Sequence, residues 1–211
     1  MNPKAARWLV LVLLPVLCGS ADPTRLASPP SPPPFAPPMH GVMFSDDFSG
    51  GLGAWRADRP GVWSAWHGML RADLPDRKQV RSLLAAGDSA WTDYALDFDV
   101  CMMRGVDKGA VVRMTGKNGI GVDLRGGIYQ DVVAYLREWL VGKAPATNAK
   151  ATWNHVRVEV QGDRMAVRVN GEPKIEGDIA RASRGGIALA AYTGGTGECT
   201  VYYDNVIVTA L

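Results

Sequence analysis

The chain has 211 residues, 47% of them hydrophobic, and 23 Lys and Arg against 21 Asp and Glu give it a formal net charge of +2. That apolar content supports a packed core and excludes a wholly disordered chain. Lys4 and Arg7 lie in a segment read below as a removed leader, and no acid sits in residues 1–21. The remainder is therefore close to neutral, which argues against a basic stripe for nucleic acid and against a polybasic membrane patch.

Residues 1–21 read as an export signal. Lys4 and Arg7 supply the positive region, and Trp8 to Leu17 is an apolar run too short to span a bilayer as a mature helix. Gly19-Ser20-Ala21 offers small residues at the positions a signal peptidase reads, so cleavage is expected after Ala21. The rival reading is lipidation at Cys18, although Leu17 stands where a small residue is wanted. Either route exports the protein to a periplasm, a cell surface or the medium. Residues 22–42 carry eight prolines and are expected to be a disordered, polyproline-like linker.

Residues 43–211 read as strands. Tyr94, Leu96, Phe98 and Val100 share one face of a period-two run, with Asp97 and Asp99 on the other. Ile120, Val122 and Leu124 alternate with Gly121, Asp123 and Arg125. Val132 to Leu140 is bounded closely by glycines and is taken as one strand rather than a helix. Val156, Val158 and Val160 alternate with His155, Arg157 and Glu159, and Met165, Val167 and Val169 alternate with Ala166, Arg168 and Asn170. Thr200 to Val208 is β-branched and aromatic. Turn signals fall between these runs at Gly116–Gly119, Gln161-Gly-Asp163, Asn170-Gly171, Arg184–Gly186 and Thr193–Gly197. Short strands with one apolar face each, joined by Gly-rich turns, imply an all-β, two-sheet antiparallel sandwich.

The order of landmarks resembles the concanavalin A-like lectin/glucanase superfamily in its laminin-G-like jelly-roll branch. The landmarks are Ser45-Asp-Asp-Phe48 with Gly53 and Trp55, then Trp63 or Trp66 with Gly68-Met-Leu70, then Trp91-Thr-Asp-Tyr94-Ala-Leu96. They continue with Gly109-Ala-Val-Val-Arg113, Trp153-Asn-His-Val-Arg157, Val169-Asn-Gly171, Gly185-Gly-Ile-Ala-Leu189 and Tyr203-Asp-Asn-Val206. Some bacterial relatives with this pattern resemble 3-keto-disaccharide hydrolases. The fold hosts lectins, glycosidases and adhesion modules, so the resemblance implies a jelly roll more firmly than a chemistry.

Within that frame the glutamates of the catalytic jelly-roll glucanase motif are missing around Asp97 and Asp99. Those two aspartates are about 7 Å apart on one strand face, and solvated surface carboxylates are the expected reading. The strands that make the concave sheet in the resembling domains carry Arg113, Asp123, Arg125, Tyr135, Arg137 and Tyr192. Parity sets each opposite the core residues of its strand. Planar donors, carboxylates and aromatic faces are what hydroxyl-rich rings need, so these six are the candidate carbohydrate-binding residues. An ordinary polar face with cross-strand ion pairs is the plain alternative.

The resemblance also allows a structural calcium between the first and last strands, at Asp47 and Asp204, although two aspartates are only part of a calcium shell. No cofactor is required. With the leader removed, Cys101 and Cys199 remain, and an exported location makes a disulfide between them a candidate; face parity opposes it unless a bulge intervenes. The expected function is an exported carbohydrate-binding module, with a glycan or envelope polysaccharide as partner and the membrane reached only through a lipid anchor. A sugar-processing hydrolase and a lipoprotein scaffold are the competing readings.

Overall fold

The computed structural model describes residues 28–34, 36, 40–180 and 182–211; the leader, its cleavage site and Cys18 lie outside the described residues. Fifteen strands follow one another: Val42–Asp46 (β1), Arg56–Ala57 (β2), Trp63–Trp66 (β3), Met69–Leu74 (β4), Arg81–Ala86 (β5), Tyr94–Arg104 (β6), Asp107–Thr115 (β7), Asn118–Arg125 (β8), Asp131–Leu136 (β9), Trp139–Pro145 (β10), Trp153–Gln161 (β11), Arg164–Val169 (β12), Glu172–Asp178 (β13), Gly186–Tyr192 (β14) and Cys199–Ala210 (β15). Among the described residues there is no helix.

The strands form two antiparallel sheets. One has eight strands in the order β13-β12-β11-β6-β15-β4-β3, with β1 also paired to β15; the other has seven in the order β10-β9-β8-β7-β14-β5-β2. The period-two runs dictate the stacking. Leu96, Phe98, Val100, Val156, Val158, Val167 and Val208 point inward from the first sheet. Val112, Ile120, Val122, Leu124, Ile187 and Leu189 meet them from the second, and all thirteen are buried in one cluster. Burying a Val, Leu, Ile or Phe side chain contributes about 1.5–3 kcal/mol, so this seam is the main source of stability. Tyr203 stands in it with its hydroxyl donating to Ala190 O at 2.6 Å, which ties the two layers together.

Local turn chemistry agrees with the sequence. Asn170 (φ 52°) and Gly171 (φ 80°) are both left-handed, as a two-residue hairpin between β12 and β13 demands. The run Val132–Leu140 is a hairpin, not one strand: β9 ends at Leu136, Arg137 turns at φ 54°, and Trp139 pairs back onto Leu136.

Two irregularities decide side-chain directions. The β7–β8 register slips between Val112 and Thr115, with Arg113 at φ 48°. The β15–β6 register slips between Asp204 and Ile207, with Asn205 at φ 53°. Tyr203 and Val206 both join the core, so Asp204 and Asn205 together face outward, as an extra residue in a bulge requires.

Cys101 and Cys199 are free, and no disulfide joins them. Cys199 belongs to the core, whereas Cys101 lies on the outer face of the eight-stranded sheet in a small apolar cluster with Met69 and Tyr202. They are on opposite sides of their sheet: the register also shifts between Thr200 and Val201, but Cys199 stays on the core side with Val201 and Tyr203 while Cys101 pairs with outward-facing Tyr202. Burial pushes the Cys101 thiol up to about 11 and the Cys199 thiol up to about 12.

Candidate functional site on the seven-stranded sheet

The register of the seven-stranded sheet fixes three rungs on its outer face. The first runs Arg81, Tyr192, Asp107, Arg125, Asp131 across β5, β14, β7, β8 and β9. The second runs Leu83, Ala190, Gly109, Asp123, Val133 and, on β10, Lys143. The third runs Ala85, Ala188, Val111, Gly121, Tyr135 and Leu140. Small residues dominate the middle of this face, so Asp123 stands over a low floor with charged and aromatic side chains around it.

Four of the six sequence candidates, Asp123, Arg125, Tyr135 and Tyr192, come together here. Tyr135 leans across Gly121: a Cβ added at Gly121 would lie 2.4 Å from Tyr135 Cζ, so any other residue there would displace the ring. The phenol hydrogen-bonds to the Asp123 carboxylate. Burial raises the Asp123 carboxyl to about 6, against the lowering effects of the Tyr135 hydrogen bond and Arg81. Burial and the neighbouring carboxylate push the Tyr135 phenol well up, so it stays a donor. Tyr192 hydrogen-bonds to Gln79 Oε1 at the rim.

Arg125 does not pair with Asp123. It grips Asp131 in a two-pronged contact, Nε and Nη2 each at 2.7 Å, and its guanidinium lies 4.4 Å from the centre of the Tyr129 ring. Lys143 reaches the same Asp131 at 3.1 Å. Beside them, burial raises the Asp107 carboxyl, and its Oδ1 is enclosed without a hydrogen-bond donor among the described residues. Asp107, Asp131, Arg81, Lys143 and Tyr129 were not singled out from the sequence. Asp131 follows the Gly126-Gly127 turn, and only the β8–β9 register reveals that it faces Arg125.

Arg113 and Arg137 lie elsewhere. The bulge swings Arg113 into the gap between the sheets' ends, where its side chain is 1% exposed. Its Nε donates to Thr92 O at 2.8 Å, Nη1 to Gly162 O at 2.7 Å and Ala182 O at 2.8 Å, and Nη2 to Asp93 at 3.0 Å. With its fork occupied this way it is a structural clasp. Arg137 is exposed in the β9–β10 turn and lines, with Arg113, Asn118, Trp139 and Arg184, a cleft of about 370 Å³ at the pole. The one buried charge of that cleft is already saturated by the protein, whereas the open face holds carboxyls with raised affinity for protons.

Asp47 and Asp204 each bond to the backbone of their own turn or bulge. Asp47 Oδ1 caps the following turn through Ser49 N at 3.1 Å and Ser49 Oγ at 2.6 Å, and Asp204 Oδ1 accepts from Asn205 N at 2.7 Å. Among the described residues no group of three or more His, Cys, Asp and Glu is arranged to hold a metal ion. Burial, with Asp47, Asp99 and Asp46 nearby, lifts the Asp204 carboxyl to about 7.

On the opposite side of the sandwich, Asp97 and Asp99 are not simply solvated. His155 Nε2 meets Asp97 at 3.1 Å and Nδ1 meets Asp99 at 2.9 Å, and Arg157 also bonds Asp97.

Three comparisons bear on this architecture. The fold is similar to a carbohydrate-binding module, CBM66 from Bacillus subtilis (TM-score 0.65, 15% identity, covering 75% of this chain and 97% of that one). It is equally similar to a Bacillus subtilis protein of unknown function with a galectin-like fold (TM-score 0.65, 9% identity, 81% and 96% covered). A more distant likeness is the polysaccharide lyase family 7 alginate lyase AlgAT5 (TM-score 0.54, 11% identity, 72% and 84% covered). At such identities these likenesses establish the fold, a jelly-roll β-sandwich, and nothing finer. No curated protein matches the sequence. A family model does, over residues 43–209, which takes in every strand but the first residue of β1 and the last of β15. The chain belongs to the family of 3-keto-alpha-glucoside-1,2-lyase-like domains.

Proposed function

We propose that the protein is an exported carbohydrate-recognising jelly roll whose binding face is the outer surface of the seven-stranded sheet. The observation that carries this reading is the Asp123–Tyr135 pair standing over the Gly and Ala floor, with Arg81, Arg125 and Tyr192 around it. A sugar ring offers hydroxyls that both donate and accept, plus an apolar C–H face. Carboxylates, a phenol and aromatic rings on one open surface meet those needs. The name of the CBM66 neighbour, a carbohydrate-binding module, is in keeping with this reading.

A second reading is favoured by one feature, the Asp123 carboxyl raised to about 6 by burial. A carboxylate with that proton affinity suits general-base work near neutral pH. On a 3-keto glycoside, Asp123 would take the acidic proton from C2, beside the ketone. The C1–O bond then breaks, the departing oxygen takes a proton, and a C1=C2 double bond conjugated with the ketone remains. The family's description as 1,2-lyase-like supports this chemistry.

Calorimetric titration with glucose-based disaccharides and their 3-keto forms tests both. Asp123→Ala and Tyr135→Phe are expected to weaken binding at least about tenfold, roughly 1.4 kcal/mol. Unchanged affinity in both variants would remove the site. Consumption of the keto sugar by the native chain, lost in Asp123→Asn, selects the second reading over the first.

A further inference from the structure

The proline-rich segment is not a free tether throughout. Residues 28–34 read Ser-Pro-Pro-Ser-Pro-Pro-Pro. Such a segment has carbonyls to be satisfied and few N–H groups of its own, and it winds into polyproline II with three residues per turn. Two of its carbonyls are satisfied by the folded domain. Trp153 Nε1 donates to Pro30 O at 2.8 Å, and Asn205 Nδ2 donates to Pro33 O at 2.8 Å. Pro29, just ahead of them, is buried.

The spacing of those contacts matches the sheet. Pro30 and Pro33 are one polyproline turn apart, about 9 Å at roughly 3.1 Å per residue. Trp153 lies on β11 and Asn205 on β15, with β6 between them. Two strand spacings come to about 9.6 Å, and the register sets Trp153 at the Cys101 rung and Asn205 past the Asp99 rung, so the segment crosses the strands obliquely. A polyproline helix crossing these strands therefore presents one carbonyl to each donor.

Both donors are held in place. Asn205 owes its outward direction to the β15 bulge, and its Nδ2 also donates to Asp99 Oδ2 at 2.7 Å. Asp99 is in turn bonded to His155 at 2.9 Å. Trp153 packs against the cluster of Met69, Cys101 and Tyr202 on the same face.

We propose that the outer face of the eight-stranded sheet is a polyproline-recognition surface that binds residues 28–34 of its own chain as a strap. The folded unit then begins near residue 28 rather than 43. Residue 28 then lies on the eight-stranded side, opposite the seven-stranded face. The strap stands on its own contacts and not on the sugar-site reading.

The test follows the Trp153 indole N–H by NMR in the full chain, its signal assigned by its loss in Trp153→Phe. Replacing the five prolines of 28–34 with glycine leaves every strand untouched. It is expected to shift the indole signal and speed its hydrogen exchange at least about tenfold, with core amides unchanged. Asn205→Gly, at a φ that glycine adopts freely, removes the second anchor together with its bond to Asp99 and is expected to give a smaller acceleration. An indole signal unchanged in both variants would overturn the strap.

Discussion

Asp99 accepts from His155 Nδ1 at 2.9 Å across the β6–β11 pair. With Asp97 on the other ring nitrogen, both nitrogens face carboxylates, and the ring is held as the cation. The Asp97 hydrogen bond foremost, then that of Asp99, raises the imidazole to about 9. The folded value lies above the unfolded value near 6.5, so the stabilisation is complete below about pH 6.5 and is lost as pH rises through about 9. Chemical denaturation of the native chain and His155→Gln at pH 6 and pH 10 is expected to show a gap that shrinks toward the alkaline end. A gap independent of pH would contradict the doubly bonded ring.

Asp204 has the opposite sign. Its folded carboxyl, raised mainly by burial to about 7, binds its proton more tightly than in the unfolded chain. Its effect on stability therefore worsens as pH climbs from about 4 to 7. Asp204→Asn retains a side-chain oxygen for the Asn205 N–H and is expected to stabilise the fold by roughly 1–3 kcal/mol at pH 8 and hardly at all at pH 4. Thermal unfolding at the two pH values checks it.

Lys108 is a lone cation in the core, 1% exposed, with Met102 Sδ at 3.6 Å as its hydrogen-bond partner. Burial lowers its amine to about 7. The unfolded chain keeps that proton to about pH 10.4, so stability rises with pH between about 7 and 10. Lys108→Met is expected to raise the melting temperature at pH 6 and to lose most of that advantage at pH 10.

Arg113 separates structure from function. Arg113→Ala leaves three part-buried carbonyls without their side-chain donor and Asp93 with only the Gly162 N–H, and a loss of about 1–3 kcal/mol is expected in urea unfolding. Sugar affinity per folded molecule is expected to stay unchanged, because the guanidinium lies at the pole and not on the rungs around Asp123.

The layers of this fold were legible because alternation is a two-residue rule and most strands obey it. Val156, Val158 and Val167 all lie in the core as that rule requires. The same rule failed where the backbone slips. Arg113 and Asn205 sit in left-handed conformations at bulges that no glycine marks, and there parity points the wrong way. The turn at Arg137 was missed for the same reason, and one expected strand became a hairpin. Within the candidate site, residues on regular strands were readable singly, but their partners were not. Arg125 turns to Asp131 and Asp123 to Tyr135, choices set by inter-strand register rather than by neighbours in sequence.

The central claim is that sugar binds over Asp123 on the seven-stranded sheet. Amide chemical-shift mapping of the full chain during titration with a 3-keto disaccharide tests it most directly. The expected result is a patch of shifts at Gly109, Gly121, Asp123 and Ala190, abolished by Asp123→Ala. Shifts confined to the polar cleft around Arg137 and Arg184, or to the face bearing Trp153, would contradict it.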